Sequence, residues 1–289
     1  YNLNDEAYSV QQTTDGGYII AGTTTSLEII SSEVSSNPNI PYLIKTDENG
    51  NEQWSKTFGG TSAFSVQQTT DGGYIISGDS CLNVMSDCGA LLIKTDENGN
   101  EQWSQTFLGN LGERSVEQTT DGGYILTMRE VLQSTTILLK TDENGNEEWT
   151  QTFDGSLVYV QQTFDGGYIC TGRIEQLAYE TDAYLIKTDE NGEEEWSQTF
   201  GEIGINDKSF SVQQTNDGGY IINGSSIPLN SYSGVAGETN FDGFLIKTDE
   251  NGEEEWSQTF GGALFGNSVQ QTVDGGYIVA GSKGGTGND

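Results

Sequence analysis

Two segments decide the fold, Ser9-Val10-Gln11-Gln12-Thr13-Thr14-Asp15-Gly16-Gly17-Tyr18-Ile19 and Leu43-Ile44-Lys45-Thr46-Asp47-Glu48-Asn49-Gly50-Asn51-Glu52-Gln53-Trp54-Ser55-Lys56-Thr57-Phe58, because both recur along the whole chain. The first returns at Ser65, Ser115, Tyr159, Ser211 and Ser268, making six copies, and the second makes five, which place all five tryptophans (Trp54, Trp103, Trp149, Trp196 and Trp256) at one equivalent position. In the first segment two short β-prone runs flank Asp15-Gly16-Gly17, and Asp-Gly and Gly-Gly pairs reach the positive φ angles of tight hairpins. The second reads the same way, with Leu43–Thr46 and Gln53–Phe58 around Asp47-Glu48-Asn49-Gly50. Each repeat is therefore an inner and an outer hairpin, four antiparallel strands in up-and-down order.

Copies of the inner hairpin begin 44 to 57 residues apart, a period that fits propeller blades and exceeds leucine-rich or β-helical coils. Strand alternation and glycine turns exclude helical solenoids of similar period. The expected fold class is all-β, a β-propeller of four-stranded antiparallel blades forming a single domain over 1–289. Its blades fall at about 1–60, 61–110, 111–155, 156–202, 203–262 and 263–289. Six inner and five outer hairpins make twenty-two strands, two short of six complete blades. The expectation is six blades with an incomplete last one; the alternative is five blades carrying a surplus hairpin. The last blade stays two-stranded, is completed by residues beyond this segment, or is completed by another molecule. In the last case Tyr277–Ala280 presents an open edge that recruits a partner strand.

Asp47-x-Asn49-Gly50-x-x-x-Trp54 and its four equivalents resemble the tryptophan-docking motif of quinoprotein-like propellers, in which tryptophan wedges between adjacent blades, although the spacing from Asp to Gly is one residue shorter here. The whole repeat, Asp-Gly-Gly-Tyr-Ile-Ile-Ala-Gly followed by Leu-Ile-Lys-Thr-Asp-Glu-Asn-Gly-Asn-Glu-x-Trp-Ser-Lys-Thr-Phe-Gly-Gly, is similar to the tandem repeats of bacterial and archaeal secreted or cell-surface propeller proteins. The resemblance implies a blade-docking role for the five tryptophans, an extracellular or cell-surface location, and a family whose members mostly lack a defined activity. It stops short of the quinoprotein dehydrogenases: there is no adjacent pair of cysteines and the blade count falls below theirs, so their quinone cofactor does not transfer.

Forty-four acidic residues against eleven basic ones give a net charge of −33, a surface that repels nucleic acid and anionic lipid. No apolar run is long enough to span a bilayer, so neither nucleic-acid binding nor membrane insertion is expected. The segment opens on Tyr1 with no signal-like stretch, which reads as a processed or excised start. Cys81 and Cys88 lie in one variable loop, where a disulfide would mark an oxidising compartment and two unpaired thiols are the alternative. Cys170 reads as a small core residue in the place of Ala21 and Ser77.

Strand order puts the Asp-Gly-Gly and Asp-Glu-Asn-Gly turns on one face, and the second loops with the blade connections on the other. The turns are almost copied between repeats, whereas the second loops run from Met128–Thr135 to Thr23–Ile40 and Ser225–Asp242 in unrelated sequences. Loops that diverge on a fixed scaffold build a binding surface or reflect relaxed constraint. Tyr179, Tyr232, Phe241 and Phe265 are the aromatic candidates to stack there on a sugar or a protein partner. On the opposite face Asp47, Asn49, Asp96, Asn98, Asp142, Asn144, Asp189, Asn191, Asp249 and Asn251 offer hard oxygens suited to calcium. The loop is shorter than an EF-hand demands, which favours solvated hairpin turns. Lys45, Lys94, Lys140, Lys187 and Lys247 are expected to compensate those acidic turns at the surface, about 0–1 kcal/mol per pair. Gln11 and Gln12 and their counterparts fall on the innermost strand and are expected to bond from blade to blade.

The chain has no histidine, which removes Ser-His-Asp and Cys-His nucleophilic systems and histidine metal sites. Most acids sit in copied exposed turns and lack the unlike environments that split a catalytic carboxylate pair. The expected function is that of a non-catalytic, cofactor-free extracellular propeller binding a glycan or surface protein through its variable face. The alternative is a structural subunit of an extracellular assembly or filament joined through the incomplete blade.

Overall fold

The computed structural model describes residues 5–25, 39–81, 88–108, 110–130, 134–176, 180–229, 241–261 and 264–283. Blade 1 contains β1 (Glu6–Gln12), β2 (Tyr18–Thr25), β3 (Asn39–Thr46) and β4 (Glu52–Thr57). Blade 2 contains β5 (Ser62–Gln68), β6 (Tyr74–Cys81), β7 (Cys88–Thr95) and β8 (Glu101–Leu108), and blade 3 β9 (Asn110–Gln118), β10 (Tyr124–Glu130), β11 (Thr135–Thr141) and β12 (Glu147–Asp154). Blade 4 contains β13 (Ser156–Gln162), β14 (Tyr168–Glu175), β15 (Thr181–Thr188) and β16 (Glu194–Phe200), and blade 5 β17 (Ile205–Gln214), β18 (Tyr220–Pro228), β19 (Asp242–Thr248) and β20 (Glu254–Phe260). The last sheet has only β21 (Leu264–Gln271) and β22 (Tyr277–Lys283). Every sheet is antiparallel with its strands in chain order, so the fold is an all-β propeller of six blades, the last one incomplete.

The chain divides into two compact units, Tyr1–Gln133 with Ile137–Thr150, and Ser134–Thr136 with Gln151–Asp289. In the first, Ile19, Leu43, Val66, Tyr74, Ile76, Leu91 and Ile93 form one buried cluster, and Ile75, Leu92, Val116, Tyr124, Leu126 and Leu139 form the next. In the second, Ile169, Leu185, Val212, Tyr220, Ile222, Phe244 and Ile246 repeat the arrangement. Each cluster joins the middle strands of one blade to those of the next. A copied repeat thus builds a continuous core that one blade alone cannot close. The outer strands β8 and β12 alternate between exposed and more buried residues, while β7 is buried along its full length.

Two irregularities recur. The first strand of blades 1, 2, 4, 5 and 6 shifts register ahead of its glutamine pair, as at Ala7/Ser9 and Ser209/Ser211. The outer hairpin shifts at its lysine, as at Lys45/Thr46 and Lys94/Thr95, and such bulges re-aim side chains.

Three readings of the sequence need correction. The flanks of the long second loops are paired strand: β2 runs to Thr25, β3 begins at Asn39, Met128 lies in β10 and Ser225 in β18. Backbone pairing continues there because it satisfies N–H and C=O groups whatever the side chains. Cys170 pairs with Val160 as Ile20 pairs with Val10, so it stands in the place of a branched aliphatic and not of Ala21. It is fully buried, and burial pushes its thiol far above its usual range. The five lysines are not surface residues, as their site makes plain.

Candidate functional site

Five of the six inner turns are built around a buried ammonium. Thr13 N–H donates to the Gly17 carbonyl and Gly16 N–H to the Thr13 carbonyl, while Asp15 Oδ1 accepts from the Thr13 hydroxyl at 2.5 Å and from Gly17 N–H at 3.1 Å. Lys45, 3% exposed, donates to Asp15 at 2.9 Å, to the Thr46 carbonyl at 2.7 Å and to Gln53 Oε1 at 3.2 Å. Lys94, Lys140, Lys187 and Lys247 hold Asp71, Asp121, Asp165 and Asp217 at 2.8–3.1 Å. In blades 3 to 5 the glutamine becomes Glu148, Glu195 or Glu255, a second carboxylate on the same ammonium. The partner is thus the aspartate of the inner turn and not the acidic outer turn. A Cβ at Gly17 would lie 2.1 Å from the Thr46 carbonyl oxygen and 2.6 Å from Lys45 Nζ, so the second glycine makes room for the clamp while the first supplies φ +86°. Burial pushes the Asp71 carboxyl up, but bonds from Lys94, Thr69 and Gly73 outweigh it and hold it at about 2; Asp121 behaves alike.

The outer turn uses its own acid. Asp47 Oδ1 accepts from Asn49 N–H at 2.9 Å and Asn51 N–H at 2.8 Å, and Oδ2 accepts from the Asn51 side chain at 2.9 Å. Asp96 and Asp142 repeat the pattern, whereas Asp189 and Asp249, followed by Glu193 and Glu253, accept the same two main-chain bonds and take the side-chain bond from Asn191 and Asn251; all four carboxyls are held below the usual range by these bonds. The aspartate oxygens considered as calcium ligands therefore close their own loops, and no group of three or more acidic or sulfur ligands close enough to hold a metal occurs among the described residues.

Each tryptophan in view reaches the following blade. Trp54 lies edge-on to Tyr74, Trp103 to Tyr124 and Trp196 to Tyr220 at 5.7–5.8 Å, and Trp256 lies tilted to Tyr277 at 5.9 Å. The rings of Trp54, Trp103 and Trp196 also cover the outer-turn glycines Gly99, Gly145 and Gly252, where a Cβ would come within 2.5–2.6 Å of the indole. Gly50 has nothing within 4 Å. The glutamine pairs bond from blade to blade as expected: Gln68 N–H donates to Gln11 Oε1 at 2.6 Å and Thr14 N–H to Gln68 Oε1 at 2.8 Å. In the second unit Gln214 and Gln271 do the same with Gln161 and Gln213.

On the face of the second loops, Tyr179 and Tyr232 lie outside the described residues. Phe265 belongs to β21, opposite Ser282, and Phe241 is half-buried just before β19. Sequence reasoning missed what stands beside them. In the second unit a cleft of about 570 Å³ runs between blades 4 and 5, lined by Phe200, Glu202, Ile205, Asp207, Asp242 and Phe244 among others. Asp207, 6% exposed, accepts from the Ser226 hydroxyl and, at 3.3 Å, from Glu202 N–H. Burial pushes its carboxyl up, reinforced by the charges of Asp182 and Glu202. Burial and the charge of Glu180 likewise raise Asp182, and Gly201, with no side chain, lies beneath the Asp182 and Asp207 carboxylates. The signal was present: Asp207 shares the inward period-two register of Ser209 and Ser211 in β17.

Neither a protein-family model nor a curated protein matches the sequence. Solved structures share its fold. A putative 6-phosphogluconolactonase from Bacteroides fragilis superposes with a TM-score of 0.57 at 12% identity, covering 94% of this chain and 76% of that one. A protein of unknown function from Dyadobacter fermentans gives 0.52 at 11%, covering 89% and 95%, and YCF48 bound to D1 peptide gives 0.50 at 9%, covering 98% and 95%. At these identities the likeness establishes the β-propeller fold and nothing finer.

Proposed function

We propose that the chain is a non-catalytic, extracellular binding propeller whose second-loop face holds a surface protein. The cleft between blades 4 and 5 carries this reading, because its lining includes Phe200, Glu202 and Ile205 from the blade connection and Pro228 and Asp242 from the flanks of the divergent second loop. Its aromatic walls, Phe200 and Phe244, and its acids, Glu202, Asp207, Asp242 and Glu254, suit a lysine or arginine side chain that buries its stem and presents its charge. A glycan is the other ligand that aromatic and carboxylate groups fit. The Cys81–Cys88 bond, which closes the loop between β6 and β7, supports an oxidising, extracellular setting. The absence of histidine and the engagement of both Asp207 oxygens favour binding over acid–base chemistry.

The test is calorimetry with a lysine-bearing peptide and a set of neutral oligosaccharides. The double variant Glu202→Gln/Asp242→Asn is expected to weaken peptide binding about tenfold, while Glu97→Gln/Glu143→Gln, with the same change of net charge on outer turns, leaves it unchanged. Equal losses in both variants would reduce the interaction to bulk charge and overturn the site.

A further inference from the structure

Five inner-turn aspartates are each neutralised by a lysine at 2.8–3.1 Å. Asp182 and Asp207 of the second unit are not. Thr181 N–H donates to Asn206 Oδ1 at 3.0 Å, which draws the start of β15 alongside β17 and sets Asp182 next to Asp207. Their carboxylates converge above Gly201, where a Cβ would lie 2.2 Å from Asp182 Oδ1 and 3.1 Å from Asp207 Oδ2, so only glycine leaves them the space they share. Asp207 is 6% exposed and lines the cleft between blades 4 and 5, whereas Asp182 lies outside that lining. The charged groups around the pair are Arg173 and Glu175 of β14, Glu180 ahead of β15, Glu202 in the connection, Lys208 of β17, Asp242 of β19 and Glu254 of β20. Among the described residues neither acid has an ammonium or guanidinium partner, and the two cations, Arg173 and Lys208, act against each other. Burial first, then the charges of Asp182 and Glu202, push the Asp207 carboxyl up, and burial and Glu180 do the same to Asp182. Two carboxylates that share one site out of water do not both stay ionised.

We infer that ligand binding in the cleft is linked to a proton: Asp182 and Asp207 hold one proton between them in the empty cleft, and an ammonium or guanidinium that enters against Asp207 displaces it to solvent. The cation takes the place of the proton as counter-charge of the pair, so the cleft fills near neutral pH and empties as the medium acidifies. Asp182 works through Asp207 and sets the pH at which this happens. The link presupposes the basic ligand proposed for the cleft and adds what releases it.

The probe is the lysine-bearing peptide, titrated calorimetrically into the full chain from pH 7 downward, in two buffers of unlike ionisation enthalpy, while carboxyl-carbon NMR follows the free chain. Release of up to about one proton per bound peptide is expected, with affinity falling about tenfold per pH unit once the free pair is protonated. The Asp182 and Asp207 carbons titrate as a coupled pair, above the other carboxyls. Asp182→Asn removes the neighbouring charge and moves the loss of affinity to lower pH, whereas Glu97→Gln/Glu143→Gln leaves the pH dependence as it is. Binding of constant strength without proton release overturns the link and leaves the cleft as a binding site. A pH dependence indifferent to Asp182→Asn, or abolished by the outer-turn pair, assigns the titration to other acids and overturns it as well, as do two carbons that titrate independently with the remaining carboxyls. A chain that takes no peptide at any pH overturns the cleft reading itself.

Discussion

Five ammonium groups, each 2–4% exposed, are the most consequential side chains of the repeat. A lysine taken out of water is tolerable only when every donor is used, and here aspartate, a main-chain carbonyl and a glutamine or glutamate take them. Lys94→Met keeps the stem and removes the charge. It is expected to cost about 2 kcal/mol in chemical denaturation, less than stranding a wholly buried charge because Asp71 is 55% exposed. Lys56→Met, at a half-buried lysine that donates to the exposed Asn100 side chain, should stay within about 0.5 kcal/mol. Equal effects would show that the clamp adds nothing to stability. The Asp-Gly-Gly turn was legible as a turn from its sequence alone. That its second glycine clears space for an ammonium was not, because the lysine arrives from a strand about thirty residues away.

At the scale of the hairpin, the joint between blades is an indole laid over the next outer turn. Gly145 and Gly50 isolate its contribution, since both have positive φ, +78° and +82°, but only Gly145 meets a tryptophan. Gly50→Ala should cost about 1 kcal/mol for backbone strain, and Gly145→Ala at least about 1 kcal/mol more for collision with Trp103. Equal midpoint shifts in thermal unfolding would show that the indole yields freely and does not lock the blades. The resemblance of the repeated turn to a tryptophan-docking motif made the role of its tryptophan readable in advance. The glutamine bonds were readable from their repetition, since a polar pair copied on the first strand of every blade needs a partner that is also copied.

For the molecule as a whole, charge sets the response to pH. At −33 the fold works against its own repulsion. Asp182 and Asp207 have raised folded pKa values, so their contribution to stability is present at low pH and lost as pH rises through those values. Asp71 and Asp121, at about 2 in the fold, lie below the unfolded value of about 3.9. Their contribution is full above that value and is lost as pH falls through about 2. Stability in urea is therefore expected to rise as pH drops from 7 and Asp182 and Asp207 take up protons, and to fall again below about 4 as the lysine-held aspartates are protonated. A monotonic decline from pH 7 downward would show that repulsion and these two acids carry little weight.

The sequence by itself determined the blade, the number of blades and the uneven last one, because each follows from local hairpin chemistry repeated at a fixed period. It also determined which loops vary. Only the tertiary structure decided where the lysines point, that Cys170 sits in an aliphatic register, that the Asp182 and Asp207 carboxylates meet over Gly201, and that among the described residues Asp274 is the one inner-turn aspartate with no ammonium beside it. These depend on which strands stand side by side and on what burial does to a charge, and neither is written in the neighbours of a residue along the chain.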